Sequence, residues 1–202
     1  LTGPNLAKEI LAGSAAAAVI AMSDPGISDE LQRVFTSNLF RVYVNDDVVG
    51  SELAGALKNV MALAAGMADG LGTGDNTRAA VITRGLAELT RLGVAMGGRA
   101  ETFAGLAGMG DLVATCISPQ SRNRHVGEQL GKGRSLEEII EEMHMVAEGV
   151  KTTKVVMELA RDYDVYMPIA EQMDLVCNQG YSPEQAYRGL LKHEVKHELH
   201  RS

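Results

Sequence analysis

The sequence predicts a mainly helical protein, in which an all-helical C-terminal domain follows a strand–helix–strand unit that looks like the tail of a larger α/β domain. Apolar residues make up 46% of the chain but aromatic residues only 4%, and there is no Trp, so the core must be built from smaller side chains. Helices rich in Ala and Gly can approach each other closely, because no large side chains separate their backbones. Strand-like runs occur only before Gly50.

The strand–helix–strand unit is predicted near the N-terminus. The short apolar run at 15–22 and the run at 39–45 have the composition of strands, and the first suits a sheet that is buried on both faces. Ser28 is placed to cap a connecting helix that extends to about Ser37. Because two strands cannot form a stable sheet alone, we interpret residues 1–48 as the end of a larger α/β domain.

A short helix is predicted over residues 4–12, with Pro4 in its first turn and Gly13 just past its end. The sequence begins at Leu1, not at Met, and runs directly into a turn-like segment. We therefore expect the chain to be a fragment or a processed product.

After Gly50 every periodic segment is helical, which predicts an all-helical domain over residues 49–202. Ser135 and Glu138 fit a capping box, and Ser182 fits the start of another helix. The predicted helices cover residues 51–69, 77–96, 110–116, 122–131, 136–144, 148–162, 166–178 and 183–192.

Charge, hydropathy and cysteine content exclude several classes of protein. The net charge of −7 argues against a nucleic-acid-binding protein, which needs a basic stripe to displace counterions. The apolar stretch at 12–21 is too short to span a bilayer, so we expect no membrane insertion. Cys116 and Cys177 are too few for a disulfide framework, and reduced thiols predict a cytoplasmic protein.

Lys58 is the only charged residue between Glu52 and Asp69, in the segment LAGALKNVMALAAGM. Small and apolar residues occur on every face of this predicted helix, so we expect it to be buried nearly all round. A lysine held there has its charged form destabilised, which suits it to proton transfer. The alternative is a side chain that extends to the surface and keeps its ammonium group in water.

The glycine-rich segment at 70–85, GLGTGDNTRAAVITRG, has two interpretations. One is a nucleotide-binding loop, but the glycine spacing matches neither of the common phosphate-binding patterns. The other is a turn between two helices, with Asn76 and Thr77 starting the second helix, and this interpretation is preferred.

Three glycines precede Asp111 in the segment FAGLAGMGDLVATC and predict a compact turn immediately before it. The carboxylate of Asp111 could hold an ammonium group such as that of Lys58. It could instead only cap the helix that follows.

The run Ser121, Arg122, Asn123, Arg124 opens another predicted helix. The N-terminus of a helix offers free N–H groups to an anion, and an adjacent arginine adds a bidentate donor, which is the chemistry that a phosphate needs. The alternative is a pair of solvated arginines with no ligand.

The pattern H-E-x-x-H occurs at 193–197, within a highly charged stretch near the end of the sequence. A zinc site of this type needs a buried helix and a third protein ligand. We interpret the stretch as a solvated tail and predict no metal site.

Six segments match a known family in its order and cover most of the chain. They are TGPNLAKEI (2–10), ELAGALKNVMALAAGM (52–67), GDNTRAAVITRGLAE (74–88), FAGLAGMGDLVATC (103–116), SRNRHVG (121–127) and AEGVKTT (147–153). Together they resemble the bacterial NAD(P)-dependent glycerol-3-phosphate dehydrogenases. The family fold is an N-terminal Rossmann domain followed by an all-helical domain related to that of 6-phosphogluconate dehydrogenase.

The resemblance implies hydride transfer from NADH or NADPH to dihydroxyacetone phosphate, giving sn-glycerol 3-phosphate, and the reverse. It also implies a small phosphorylated substrate, a role in glycerophospholipid synthesis and a homodimer. By resemblance Lys58 is the proton-transfer lysine, and Asn59 and Asp111 shape the site around it. The positions that match substrate contacts are Gly3, Asn5, Lys58, Asp111, Ser121, Arg122 and Asn123. The positions that match cofactor contacts are Ala7, Arg122, Val146 and Glu148.

The glycine-rich dinucleotide fingerprint of the family is absent from this sequence. We therefore expect most of the pocket for NAD or NADP to lie outside the chain, and the chain to be inactive or nearly so by itself. Two other functions remain open: a related dehydrogenase that acts on a different hydroxy acid, and a non-catalytic helical dimerisation module.

Overall fold

The computed structural model describes residues 1–143 and 147–192, and within them the chain is mainly helical with one two-stranded sheet. This confirms the predicted fold class. The N-terminal elements are α1 (Ala7–Leu11), β1 (Ala16–Ala21), α2 (Pro25–Phe35) and β2 (Phe40–Asn45). The next elements are α3 (Val48–Gly70), α4 (Asp75–Ala95), α5 (Ala100–Ala104), a π-helical turn (Leu106–Gly110) and α6 (Asp111–Ile117). The last are α7 (Arg122–Gly131), α8 (Leu136–Glu142), α9 (Glu148–Asp162), α10 (Pro168–Gln179) and α11 (Pro183–Lys192).

The strand–helix–strand unit forms as predicted, with β1 and β2 parallel and in register from Ala16 opposite Phe40 to Ala21 opposite Asn45. Thr2 forms an antiparallel bridge with Val19 of β1. Its N–H donates to the Val19 carbonyl at 2.9 Å, and its carbonyl accepts from the Val19 N–H at 2.7 Å. The start of the chain is therefore fixed to β1.

Two helices in this region begin at other residues than predicted. Asp24, not Ser28, caps α2, because its carboxylate accepts from the N–H groups of Gly26 and Ile27 and Pro25 occupies the first turn. Ser28 lies inside the helix. The helix predicted from residue 4 begins only at Ala7, because the preceding segment is extended along β1.

Segment 100–110 contains elements that the sequence did not predict, since a compact turn was expected there. A five-residue helix that contains the fully buried Phe103 is followed by a π-helical turn. A side chain at Gly93 or Gly108 would overlap Phe103, at 1.9 Å from the ring and 2.2 Å from the carbonyl oxygen respectively. Segments this short carry no helical periodicity that a sequence pattern could reveal.

Helix α3 is the central core helix. Its residues from Val60 to Ala68 are all buried, and α4, α6, α7 and α9 pack around it. By length and composition alone α3 could cross a membrane, but it is enclosed by other helices of the same chain.

Helices α3 and α7 cross with their backbones in contact. A Cβ atom added at Gly66 of α3 would lie 2.0 Å from the carbonyl oxygen of Arg124, and one added at Gly127 of α7 would lie 2.0 Å from that of Leu63. Such distances leave no room for any side chain at these positions. Gly70 and Gly131, one turn further along, are equally tight. The crossing brings the N-terminal end of α7 beside the middle of α3.

Asp47 joins the sheet to the helices. Its carboxylate caps α3 by accepting from the N–H of Gly50 at 2.9 Å, and it also accepts from the N–H of Arg99 at 2.8 Å and the hydroxyl of Thr102 at 2.7 Å. Burial raises the pKa of Asp47, but these hydrogen bonds and the Arg99 charge outweigh it and hold the pKa below its ordinary value. Asp47 therefore ties the start of α3, just after β2, to Arg99 and Thr102.

Glu88 of α4 is a buried carboxylate with an exposed fraction of 1%. It accepts from the N–H groups of Ile169 at 2.8 Å and Ala170 at 3.2 Å, so it caps α10 from another helix. Burial raises the pKa of Glu88 to about 7, against the lowering effect of these two hydrogen bonds and of the charges of Arg91 and Arg84. The folded chain thus binds this proton more tightly than the unfolded chain does.

The Glu88 carboxyl is expected to make stability depend on pH. Its contribution is largest below pH 4.5 and is lost as the pH rises to about 7, because the unfolded chain releases the proton first. The loss is about 3 kcal/mol for a shift of this size. Glu88→Gln, which mimics the protonated form, is expected to remove this pH dependence. Urea unfolding at pH 5 and pH 8 measures the free energy of unfolding of the wild-type chain and of Glu88→Gln. If the difference between the two proteins is the same at both pH values, the expectation is wrong.

Candidate active site

Lys58 lies on α3 just before the fully buried stretch, and its side chain is 20% exposed. The prediction of a helix buried nearly all round is correct for Val60 to Ala68, whereas the earlier part of α3 has exposed residues such as Glu52 and Ala56 and a partly buried Lys58. Its ammonium nitrogen Nζ lies 2.5 Å from Oδ2 of Asp111. The lysine therefore neither stands alone in the core nor simply extends into water, but forms an ion pair across two helices.

Asp111 is the first residue of α6 and is 5% exposed. Oδ2 accepts from Lys58 Nζ and, at 3.3 Å, from the hydroxyl of Thr2. Oδ1 accepts from the hydroxyl of Thr115 at 3.2 Å. The side chain makes no hydrogen bond that caps α6, whose N-cap is Gly110. The sequence left open whether Asp111 binds an ammonium group or caps the helix, and in the structure it forms the ion pair with Lys58.

Sequence reasoning missed Thr2 and Thr115 as members of this site. Thr115 follows Asp111 by four residues, which places both on one face of a helix, so its spacing could have revealed it. Thr2 reaches Asp111 across 109 residues of chain. No local pattern contains that information.

The segment before α1 lies at the same place. Gly3 is buried with φ at +120°, and a Cβ atom there would lie 3.3 Å from Cα of Ala18. Pro4 reaches the π-helical turn, since a Cβ atom at Gly110 would lie 3.4 Å from its ring. Further along, Asn5 is half-buried and Ala7 is exposed at the start of α1. Segment 2–4 therefore borders the Lys58–Asp111 pair.

The predicted anion site is the N-terminus of α7. Ser121 is the N-cap, and its hydroxyl accepts from the N–H of Arg124 at 3.2 Å. Arg122, the first residue of the helix, is exposed. Asn123 is buried, and its side-chain oxygen accepts from the N–H of Gly149 in α9 at 2.9 Å. Ser121 and Asn123 therefore both stabilise helix starts, whatever else they bind.

The starts of α7 and α9 lie directly beside Asn59. A Cβ atom at Gly149 would lie 2.7 Å from the carbonyl oxygen of Asn59 and 2.8 Å from Oδ1 of Asn123. Glu148 is exposed at the first position of α9, whereas Val146 lies outside the described residues. Two helix N-termini, each a favourable place for negative charge, are thus packed against the residue next to Lys58.

Arg124 is not the solvated arginine that the sequence allowed as an alternative. Its side chain is 16% exposed and pairs with Asp69 of α3 at 2.7 Å and with Glu128 at 3.2 Å. Arg78 of α4 pairs with the same Asp69 at 3.0 Å. This network joins three helices, so Arg124 has a structural role in holding α7 against α3 and α4.

Other candidates from the sequence have structural explanations. Residues 71–74 form the preferred helix-to-helix turn, with Gly72 and Gly74 at positive φ, and α4 begins at Asp75, slightly before the predicted start at Asn76 and Thr77. Cys116 and Cys177 are free, and burial raises the pKa of both thiols to about 12, so neither is suited to act as a nucleophile. The H-E-x-x-H pattern at 193–197 lies outside the described residues.

Comparison with known proteins identifies the family. Residues 47–188 match the family model described as "NAD-dependent glycerol-3-phosphate dehydrogenase C-terminus". A Sphingopyxis alaskensis glycerol-3-phosphate dehydrogenase [NAD(P)+] is 60% identical over 200 residues, which are 99% of this chain and 60% of that protein. A Mycobacterium tuberculosis relative of the same description is 58% identical over 202 residues, all of this chain and 59% of that protein.

The crystal structure of glycerol-3-phosphate dehydrogenase from Coxiella burnetii superposes with a TM-score of 0.91 at 42% identity, over 95% of this chain and 59% of that one. The chain thus spans about 60% of the length of the curated relatives it matches. It belongs to the family of NAD(P)-dependent glycerol-3-phosphate dehydrogenases and corresponds to their C-terminal region.

Proposed function

We propose that this chain is the catalytic part of an enzyme that reduces dihydroxyacetone phosphate to sn-glycerol 3-phosphate with NADH or NADPH, reversibly and for glycerophospholipid synthesis. The observation that carries the proposal is the ion pair between Lys58 and Asp111, because it holds a proton donor beside an exposed edge of the helical core. In this role Lys58 gives a proton to the carbonyl oxygen of the substrate as the carbon is reduced. Asp111 keeps the amine in place through the ion pair.

The phosphate of the substrate would bind at the N-terminus of α7. Free N–H groups, the helix dipole and the exposed guanidinium of Arg122 all favour an anion there. Asn59, which is packed against both helix starts, follows Lys58 directly in α3. The carbonyl and phosphate ends of a three-carbon substrate would thus meet neighbouring parts of one site.

The residues present fit only an edge of a nicotinamide cofactor site. Arg122 and Glu148 are exposed at two adjacent helix starts whose neighbouring residues are buried, and Ala7 is exposed on α1. These three, with Val146, would border the cofactor. When bound, the reduced nicotinamide supplies the hydride. We propose that most of its pocket lies in the part of the relatives that this chain does not match, in a domain that ends at about residue 48.

Two further properties stay predictions. The first is a homodimer, which is expected from the family and which sedimentation of the active enzyme would measure. The second is a cytoplasmic location, and two free cysteines accord with such a reducing compartment.

The test uses a fusion enzyme, made by joining to this chain the unmatched N-terminal part of a mycobacterial relative. We expect it to oxidise NADH or NADPH with dihydroxyacetone phosphate and to have far lower kcat/KM for dihydroxyacetone or pyruvate, which lack the phosphate. The 202-residue chain alone is expected to give no measurable turnover. Equal kcat/KM with and without the phosphate would contradict the proposed substrate.

A further inference from the structure

We propose that Thr2 is a positioning residue for the reaction, because its hydroxyl holds Asp111 at the place from which the carboxylate orients Lys58. This inference rests on the proposed function of Lys58 as the proton donor. The hydroxyl of Thr2 and the ammonium of Lys58 lie at 3.3 Å and 2.5 Å from the same oxygen, Oδ2 of Asp111. The two donors thus share one oxygen atom of a buried carboxylate.

The backbone of Thr2 is held independently of this contact. Two hydrogen bonds to Val19 fix it to β1, and the buried Gly3 follows with a backbone conformation that brings it within van der Waals distance of Ala18. On its other side the Thr2 hydroxyl lies against α3, since a Cβ atom at Gly55 would be 3.4 Å from it. Gly55 precedes Lys58 by three residues, so the hydroxyl lies one helical turn from the lysine.

The two threonines that contact Asp111 differ in the element that anchors them. Thr115 is on α6 itself and bonds both the main chain and Oδ1 of Asp111, so it moves together with the carboxylate. Thr2 is instead bridged to Val19 of β1. Its hydrogen bond therefore fixes the carboxylate relative to the sheet and not to α6.

The contact matters most when the charge of Lys58 is lost. In the reduction, an N–H bond of the ammonium breaks, an O–H bond forms on the substrate oxygen, and Lys58 is left as a neutral amine. The charge attraction between Lys58 and Asp111 is then lost, while the carboxylate stays buried. The Thr2 hydroxyl still contacts Oδ2, so Asp111 remains in position while a proton from solvent water restores the ammonium of Lys58 for the next cycle.

The experiment compares Thr2→Val and Thr2→Ser in the fusion enzyme. Valine keeps the shape and the backbone bridge but removes the donor, whereas serine retains it. We expect kcat for dihydroxyacetone phosphate to fall about 10- to 150-fold in Thr2→Val, the size of effect that loss of one hydrogen bond to a charged group gives. KM is expected to change less than kcat, the melting temperature to be preserved, and Thr2→Ser to recover most of the activity. Thr90→Val, which removes a half-buried hydroxyl bonded within α4, is the matched control.

A second measurement needs no turnover and separates this inference from the proposed function. The rate of Lys58 modification by trinitrobenzenesulfonate, read by peptide mass spectrometry, is expected to rise severalfold in Thr2→Val and to stay at the wild-type value in Thr2→Ser and Thr90→Val. An inactive wild-type fusion would count against the proposed function and leave this comparison valid. Unchanged Lys58 modification in Thr2→Val, or an activity loss of equal size in Thr2→Ser, would overturn the role of Thr2.

Discussion

Lys58→Ala in the fusion enzyme is expected to lower kcat for dihydroxyacetone phosphate by about 10²–10⁴-fold, the usual value of a positioned proton donor. The fold should survive, because Lys58 is half-buried at the edge of the core and Asp111 retains the hydroxyls of Thr2 and Thr115. Steady-state kinetics with NADH and circular dichroism of the same samples measure the two effects separately.

The matched control for this substitution is Lys132→Ala. Lys132 also pairs with an acidic residue, Glu128, but its side chain is half exposed at the far end of α7. We expect its loss to leave kcat within a factor of two, since exposed pairs contribute little. Should Lys58→Ala retain full turnover, the catalytic role would be wrong, and a helical dimerisation module would become the better interpretation of the helices around α3.

Gly127→Ala is expected to destabilise the chain by more than about 3 kcal/mol or to prevent folding, at the upper end of what overpacking costs. The added methyl carbon would lie 2.0 Å from the carbonyl oxygen of Leu63 and 2.9 Å from the N–H nitrogen of Met67. Both are backbone atoms of α3, so no side-chain rotation can make room. The two helices would have to separate along their whole crossing.

Urea unfolding of the chain measures this effect. Gly105→Ala is the control, because its new Cβ atom would meet its nearest atoms at an ordinary 3.5 Å and Gly105 is exposed. We expect it to change the free energy of unfolding by less than about 1 kcal/mol. Similar losses in the two variants would show that backbone contact does not determine the stability of this crossing.

Much of the fold was predictable because its long elements carry strong local patterns. The apolar α3 and the Ala- and Gly-rich composition predicted closely packed helices, and the contact at Gly66 and Gly127 is the result. Ser135 and Glu138 form the predicted capping box. Features that depend on distant partners could not be predicted. In the sequence Glu88 resembles any surface charge of its helix, and the N–H groups that it binds lie 81 and 82 residues away.

The candidate site divides in the same way. The pairing of Lys58 with Asp111 was one of two roles predicted for that aspartate, because an isolated charge in an apolar helix requires a partner. The structural roles of Ser121 and Asn123 were only partly visible, since an N-cap is a local pattern and a hydrogen bond from α7 to α9 is not. Their contact with substrate stays a prediction, as do the cofactor contacts of Ala7, Val146 and Glu148.

The crossing of α3 and α7 has a consequence for which substrates can fit. Because glycines bring the two backbones into contact, the spacing between the backbone of α3 at Lys58 and the start of α7 depends on main-chain geometry and not on the rotamers of side chains packed between them. Main-chain geometry of packed helices varies little with temperature or with what is bound. Under the proposed function this is a spacer of fixed length between proton donor and phosphate, and we expect homologous phosphates one carbon longer or shorter to be poor substrates.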